Sequence, residues 1–257
     1  MNVLNGDSKI AAQLASVIIS KRKHGFKFDP KQYLKQFKHT IDNDGFITVN
    51  GNFNCSELDL TKLPWKFKEV RGWFDCRSNQ LTTLEGAPEI VVGSFNCSSN
   101  KLKTLKGAPN IVKGGFFCYS NDLITLECSP KNINGDFNCS YNKLTTLEGA
   151  PEIVNGSYNC SNNKLTTLKG APKRVGWMFD CSDNQLTTLK GAPEIVNSFY
   201  CHKNCLATLK GAPKTVNSNF DCSYNKLTTL DYIPEIGGEV VFNNNPLPPE
   251  EIALYNL

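Results

Sequence analysis

One phrase of 21 residues recurs along most of this chain. FNCSYNKLTTLEGAPEIVNGS runs from Phe137 to Ser157, and it begins again at Tyr158 with its cysteine, asparagine, leucine and proline positions kept. Asparagine and leucine columns follow the same period. The cysteine column recurs every 21 residues with a single step of 20, at Cys55, Cys76, Cys97, Cys118, Cys139, Cys160, Cys181, Cys201 and Cys222. A fixed period of this length predicts a solenoid of stacked units.

The residue pattern within one unit predicts a short parallel strand. Phe137 and Cys139 are expected to face the core, while Asn138 and Ser140 face out. The asparagine column is expected to turn its amide inward, because backbone groups of a buried turn otherwise lack hydrogen-bond partners. The two leucine columns fill the wedge behind the strand, and the Gly-Ala-Pro segment excludes a helix there.

Stacking of such units leads to one fold class. No unit buries its apolar face alone, so neighbouring units share a continuous core. The sequence therefore predicts an α/β repeat fold, a leucine-rich-repeat solenoid with a parallel concave sheet and an N-terminal helical cap. Ten strand positions at roughly 4.8 Å spacing give a sheet on the order of 45 Å long. The expected organisation is a helical cap at 1–44, a solenoid of about ten repeats at 45–247 and a C-terminal cap tail at 248–257.

Residues 1–44 carry no repeat and hold the whole net charge of +4. Two helices are expected there, one from Asp7 or Ser8 to about Lys23 and a second starting at Pro30. One interpretation is a cap over the apolar edge of the first repeat. The alternative is a basic surface for nucleic acid or a nucleoprotein. Its contact residues are Lys21, Arg22, Lys23 and Lys27, with Lys31, Lys35 and Lys38 behind them.

The cysteines bear on compartment and on metal binding. Eleven cysteines without a signal sequence favour free thiols in a reducing cytosol, so a cytoplasmic protein is expected. The apolar run Ile10 to Ile19 is too short to span a membrane. Stacked identical positions form a line rather than a tetrahedron, so the column is interpreted as small buried hydrophobes, and no metal or cofactor is expected. Cys128 and Cys205 lie outside the column, without a predicted partner.

Residue pairs suited to catalysis are not found in the sequence, so no enzymatic activity is expected. Cys201 and His202 are adjacent, but strand alternation points their side chains to opposite faces. No glycine loop for phosphate and no zinc-ligand spacing is present.

Departures from the repeat on the concave face predict a binding surface. Outward strand positions are mostly Asn or Ser, including Ser98, Ser161 and Ser223, whereas aromatic residues and Arg at such positions are typical of protein-binding hot spots. The alternative is that these aromatic side chains only pack against one another along the sheet. Carboxylates on the same face suit a protein better than nucleic-acid phosphates. The predicted partner-binding residues are Trp73, Asp75, Arg77, Phe117, Tyr119, Tyr141, Met178, Asp180, Tyr200, His202, Asp221 and Tyr224.

Two units carry a resemblance to known repeat proteins. SFNCSSNKLKTLKGAPNIVKG, Ser94 to Gly114, and SYNCSNNKLTTLKGAPKRVG resemble the short leucine-rich repeats of proteins from large tailed bacteriophages. They are more distantly similar to the repeats of secreted effectors of enteric pathogens, in which two helices precede the repeats. Some of those effectors carry a ubiquitin-ligase domain after the repeats, and no counterpart of its catalytic cysteine is expected here. The resemblance covers about residues 46 to 247.

This resemblance implies a phage or bacterial cytosolic protein that binds a host protein and blocks it, for instance a defence component. Two alternatives stay open. One is nucleic-acid or nucleoprotein binding through the basic helices, and the other is a structural or self-assembling role, for example in a virion.

Overall fold

The chain folds into a parallel-strand solenoid, as its repeat predicts. The computed structural model describes residues 28–253. Each complete coil contributes two short strands, one at the Phe-x-Cys segment and one at the Ile-Val pair that follows Gly-Ala-Pro. The strands stack coil upon coil into two parallel rows. The predicted solenoid and its parallel sheet are therefore confirmed.

The main sheet holds ten strands that are all parallel and lie in chain order, with corresponding residues of successive coils in register. The strands are β3 (Phe53–Asn54), β5 (Phe74–Asp75), β7 (Phe95–Asn96), β9 (Phe116–Phe117), β11 (Phe137–Asn138), β13 (Tyr158–Asn159), β15 (Met178–Asp180), β17 (Ser198–Tyr200), β19 (Phe220–Asp221) and β21 (Val240–Val241).

A second row of strands forms the back of the coils, and the sequence analysis did not predict it. It consists of sheets of five, three and three strands, in which β1 pairs antiparallel with β2 and the other strands pair in parallel. The strands are β1 (His39–Ile41), β2 (Ile47–Val49), β4 (Phe67–Val70), β6 (Ile90–Val91), β8 (Ile111–Val112), β10 (Asn132–Ile133), β12 (Ile153–Val154), β14 (Arg174–Val175), β16 (Ile195–Val196), β18 (Thr215–Val216) and β20 (Glu235–Ile236).

The core lies between the two rows and is built from repeated columns. In the coil of β11, Phe137, Cys139, Leu144 and Leu147 are all fully buried. The aromatic column stacks along the solenoid, and the rings of Phe137 and Tyr158 lie 5.3 Å apart at an angle of 6°. This separation follows the strand spacing of about 4.8 Å, so one residue per coil continues the core.

The asparagine column turns inward, as predicted. Nδ2 of Asn142 donates to the carbonyl oxygens of Cys118, Cys139 and Ser140, each at 3.1 Å. Oδ1 of Asn142 accepts the backbone N–H of Leu123 at 2.9 Å. Each such amide therefore joins its own coil to the preceding one.

The serines that were predicted to face outward are not exposed. Ser98, Ser140, Ser161 and Ser223 are buried. The Ser140 hydroxyl donates to Oδ1 of Asn138 at 2.7 Å. The physical reason is that the small serine side chain is held against Oδ1 of Asn138, whereas the larger Tyr119 and His202 at the same position are only partly buried.

Among the described residues that precede the solenoid, from Phe28 onward, there is little helix. The first predicted helix lies outside the described residues, and α1 (Pro30–Leu34) is five residues long and is followed by β1. The Tyr33 hydroxyl donates to the carbonyl oxygen of Asn54 at 2.7 Å, and Nε1 of Trp65 donates to that of Pro30 at 3.0 Å. These aromatic side chains cover the first Phe of the core column, Phe53.

At the other end, α2 (Pro249–Ala253) packs beside the last leucine positions. The carboxylate of Glu251 accepts the backbone N–H of Leu230 at 3.0 Å and the hydroxyl of Thr229 at 3.3 Å.

Candidate partner-binding face

The open face is the side of the main sheet that is turned away from the core. Each coil contributes three positions to it, at alternate residues around the buried Phe and Cys. In the coil of β9 these are Gly115, Phe117 and Tyr119. One residue further, the chain takes a left-handed turn at the rim of the sheet, where Ser120 has φ 53°. All twelve predicted binding residues lie on these four positions.

Most coils close the strand end with a side-chain turn. Oδ1 of Asn138 accepts the backbone N–H of Ser140 at 3.0 Å. The same contact, with an Asn or Asp acceptor, is made in seven coils, by Asn54, Asp75, Asn96, Asn138, Asn159, Asp180 and Asp221. Three of the predicted binding carboxylates, those of Asp75, Asp180 and Asp221, thus also stabilise the local turn. The sequence analysis did not assign them this role.

Two coils of this series depart from the turn and carry aromatic rings instead. Phe117 and Tyr200 occupy the Asn position, and Tyr119 and His202 occupy the Ser position. The next coil in each case places a tyrosine at the rim. The first triad is therefore Phe117, Tyr119 and Tyr141, and the second triad is Tyr200, His202 and Tyr224.

Each residue of the second triad follows its counterpart in the first triad by the same number of residues. Their strands β9 and β17 are four strands apart in the sheet. With about 4.8 Å between strands, the two triads are roughly 19 Å apart.

The rim tyrosines sit on unfavourable backbone. Tyr141 and Tyr224 both have φ 52°. The left-handed region disfavours residues with a large side chain by about 1 kcal/mol, whereas Asn and Asp tolerate it. The two residues are 59% and 52% exposed, so about half of each remains open to solvent.

The rings on the open face do not stack on one another. Ring contacts within residues 28–253 join side chains of the core and of the N-terminal end, and none involves Trp73, Phe117, Tyr119, Tyr141, Tyr200 or Tyr224. The alternative of mutual aromatic packing along the sheet is therefore not observed. The Phe117 ring lies over Gly115, where a Cβ atom would come within 2.8 Å of its Cζ.

An N-terminal group on the same face consists of Trp73, Asp75 and Arg77. Arg77 donates its backbone N–H to Oδ1 of Asp75 at 3.0 Å, and its Nε lies 3.5 Å from Oδ2. Burial raises the pKa of the Asp75 carboxyl, and both contacts with Arg77 oppose that shift. A shallow depression floored by Ser94 and Asn96 separates Trp73 from Phe117.

The second triad is surrounded by carboxylates. Nδ1 of His202 is buried without a hydrogen bond, 3.3 Å from Oδ2 of Asp221, and Nε2 lies 3.9 Å from Oδ2 of Asp183. Nζ of Lys203 lies 3.6 Å from Oδ1 of Asp183. Asp183 and Lys203 are rim residues that the sequence analysis did not include. Cys201 is buried in the core, away from the His202 side chain.

The remaining candidates for chemistry are the cysteines, most of which are buried. Burial raises the pKa of the Cys139 thiol to about 12, and that of Cys222 to about 12. Cys128 is exposed and Cys205 is half-buried.

Within the described part of the chain, no three His, Cys, Asp or Glu side chains are placed to hold a metal ion. In the same part, no helix has the length and apolar character needed to cross a membrane.

One exposed aromatic residue beside the open face was missed from the sequence. Trp177 is 63% exposed and precedes Met178. It occupies a position where earlier coils have closely stacked glycines, such that a Cβ on Gly93 would lie 2.7 Å from the backbone carbon of Gly72. Two features of the sequence could have revealed Trp177. It replaces a glycine of the repeat, and the coil that follows it is one residue shorter than the others.

The basic residues of the alternative interpretation are only partly placed. Lys21, Arg22, Lys23 and Lys27 lie outside the described residues. Lys31, Lys35 and Lys38 are exposed around α1.

Comparison with known proteins identifies the fold. No family model matches the chain, and no curated protein matches it. Among solved structures, YopM from Yersinia enterocolitica WA-314 superposes with a TM-score of 0.64 at 20% sequence identity, over 93% of this chain and 52% of the YopM chain. The chain thus spans about half the length of YopM, and the likeness at this identity concerns the fold alone. The protein has the leucine-rich-repeat solenoid fold of YopM.

Proposed function

We propose that the protein is a non-enzymatic binding scaffold whose open face holds a host protein and blocks it. The fold is that of YopM, a bacterial effector, and leucine-rich-repeat solenoids are in general protein-interaction scaffolds. The resemblance of the repeats to those of tailed phages supports a phage-encoded or bacterial protein acting in the bacterial cytosol. A defence component is the kind of host protein that such a blocker engages.

The observation that carries this proposal is the pair of triads. Phe117 and Tyr200 each replace a turn-stabilising Asn or Asp, and Tyr141 and Tyr224 each occupy strained backbone. The aromatic residues at the Asn position give up the turn contact, and the rings of the open face do not stack on one another in return. Residues that are unfavourable for the local backbone occur mainly at functional sites, where ligand binding offsets their cost in stability.

The composition of the open face favours a protein as the ligand. Half-buried aromatic side chains together with Arg77 are typical of hot spots, and β11 and β13 between the triads carry the small polar residues Asn138 and Asn159. A nucleic acid would instead require a basic face, because phosphate neutralisation dominates its affinity.

Affinity capture with turn-restoring variants tests the proposal. Phe117→Asn with Tyr119→Ser, and Tyr200→Asn with His202→Ser, give the two departing coils the residues of their neighbours. The matched control is Ile111→Asn with Ile195→Asn, which changes two exposed side chains on the second row of strands. Tagged proteins are incubated with bacterial lysate from infected and uninfected cells, and bound proteins are identified by mass spectrometry.

A partner held by the wild type and the control but lost from both triad variants is the expected result. The proposal is overturned if the triad variants retain every protein that the wild type captures.

A further inference from the structure

The two triads have the same geometry but different charged surroundings, and this inference rests on the proposed function. We infer that the second triad receives a cationic side chain of the partner, lysine or arginine, whereas the first triad receives an uncharged one. The partner then presents both on one segment, roughly 19 Å apart in the direction of the sheet.

The register of the sheet defines the neighbours of each central ring. Phe117 pairs with Asn96 on one side and with Asn138 on the other. Tyr200 pairs with Asp180 and Asp221 in the same two places. The two arrangements therefore differ by the exchange of two amides for two carboxylates, while the turn contact of each flanking residue is the same.

Rim residues increase the difference. Asp183 adds a third carboxylate beside the second triad, within 3.9 Å of Nε2 of His202, and Lys203 offsets part of its charge. In the coils of the first triad, Oδ1 of Asp136 accepts the backbone N–H of Ser157 at 2.8 Å, and Oδ1 of Asp122 lies 2.6 Å from Nζ of Lys143. A cation over the Tyr200 ring would gain both the attraction of the aromatic face and that of two flanking carboxylates.

The charge of the whole open face is complementary to a basic partner segment. The chain carries a formal net charge of +4. Its open face and rim nevertheless hold only two permanently cationic residues, Arg77 and Lys203. The carboxylates at these positions are Glu57, Asp75, Asp136, Asp180, Asp183, Asp221 and Glu239. Negative charge is thus concentrated on this one face, which would draw a basic segment towards it and repel an acidic one. An extended segment of about six residues spans the distance between the triads.

The experiment exchanges the flanking residues between the two triads. Asp180→Asn with Asp221→Asn gives the second triad the surroundings of the first, and the fold is retained because Asn138 makes the same turn contact. Asn96→Asp with Asn138→Asp is the reciprocal variant. The probes are N-acetyl-arginine amide and N-acetyl-leucine amide, each titrated at low and high salt while the aromatic NMR signals of both triads are followed.

The arginine probe should shift the signals of Tyr200, His202 and Tyr224, and the leucine probe should shift those of Phe117, Tyr119 and Tyr141. Removing the two carboxylates should weaken arginine binding roughly fivefold or more, and high salt should act in the same direction. The reciprocal variant should gain arginine binding at the first triad.

The inference is overturned if the arginine probe shifts neither triad, shifts both equally, or binds unchanged after Asp180→Asn with Asp221→Asn. Such a result leaves the proposed function standing as long as partner capture still depends on the triads. Conversely, capture that is independent of the triads overturns the proposed function, whatever the probes show.

Discussion

Asn142 joins two coils through one side chain. Its Nδ2 lies 3.1 Å from the carbonyl oxygen of Cys118 in the preceding coil, and its Oδ1 accepts the N–H of Leu123 from that coil at 2.9 Å. The same contacts recur along the solenoid, for example from Asn163 to Cys139 and Leu144. The asparagine column therefore supplies hydrogen-bond partners to backbone groups that the leucine columns bury.

Asn142→Ala should destabilise the protein by about 3 kcal/mol, because each backbone group left buried without a partner costs about 1 to 3 kcal/mol. Urea unfolding followed by circular dichroism measures the change. Asn155→Ala is the control, since Asn155 is exposed and contacts only Asn134 through its side chain, at 3.3 Å. Equal unfolding midpoints for the two variants would contradict this role of the column.

The sequence was sufficient to predict the columns of the core, because each one repeats at a constant period and a solenoid places equal positions on one line. Ser140 could not be placed correctly in this way. Alternation places it on the open side of the sheet, but its hydroxyl donates to Oδ1 of Asn138, and the period of the repeat gives no sign of that contact. The second row of strands was also missed, since two-residue strands such as β12 are too short for a periodic signal.

For the candidate site, the sequence identified the departing residues but not their arrangement. Phe117 and Tyr200 were recognisable as aromatic replacements in an Asn column. The two equivalent triads become apparent only in the structure, which places each rim tyrosine in the next coil, at a strained backbone position. The turn-stabilising role of Asp180 and Asp221 required the hydrogen-bond geometry at Ser182 and Ser223.

Cys128→Gly should stabilise the protein by about 1 kcal/mol. Cys128 has φ 69°, whereas the matching position of other coils is glycine, for example Gly149 with φ 88°. A side chain in the left-handed region is disfavoured by about 1 kcal/mol or more, and glycine removes that strain. Thermal unfolding measures the gain.

The reverse change, Gly149→Ala, should be clearly destabilising, because a Cβ there would lie 2.5 Å from the backbone nitrogen of Glu127. An unchanged melting temperature in both variants would show that these positions carry no strain.

Alkaline pH should unfold the protein sharply. Burial raises the pKa of all nine column thiols, that of Cys139 to about 12. In the unfolded chain the thiols ionise above about pH 8.5. The stability they contribute is therefore complete below that pH and falls as pH rises towards the folded-state values, by up to about 1.4 kcal/mol per thiol per pH unit.

Circular dichroism between pH 8 and 11 checks this expectation, with Cys128→Ser as the control because Cys128 is exposed and should leave the profile unchanged. Unfolding that begins only above pH 11 would contradict the contribution of the buried thiols.

Restoring the turn at the first triad should separate stability from binding. Phe117→Asn with Tyr119→Ser regains the hydrogen bonds that Asn138 and Ser140 make in the neighbouring coil, each worth about 1 kcal/mol, against the loss of two half-buried rings, each also worth about 1 kcal/mol. We therefore expect the free energy of unfolding, measured by urea titration, to stay within about 0.5 kcal/mol of the wild-type value.

The reciprocal change, Asn138→Phe with Ser140→Tyr, should lower the free energy of unfolding by about 2 kcal/mol, since it removes the same bonds and replaces a buried hydroxyl group. If the aromatic pair were present only to support the sheet, the first variant would be clearly less stable than the wild type. A variant of unchanged stability that loses its partner would instead mean that Phe117 and Tyr119 are retained for binding.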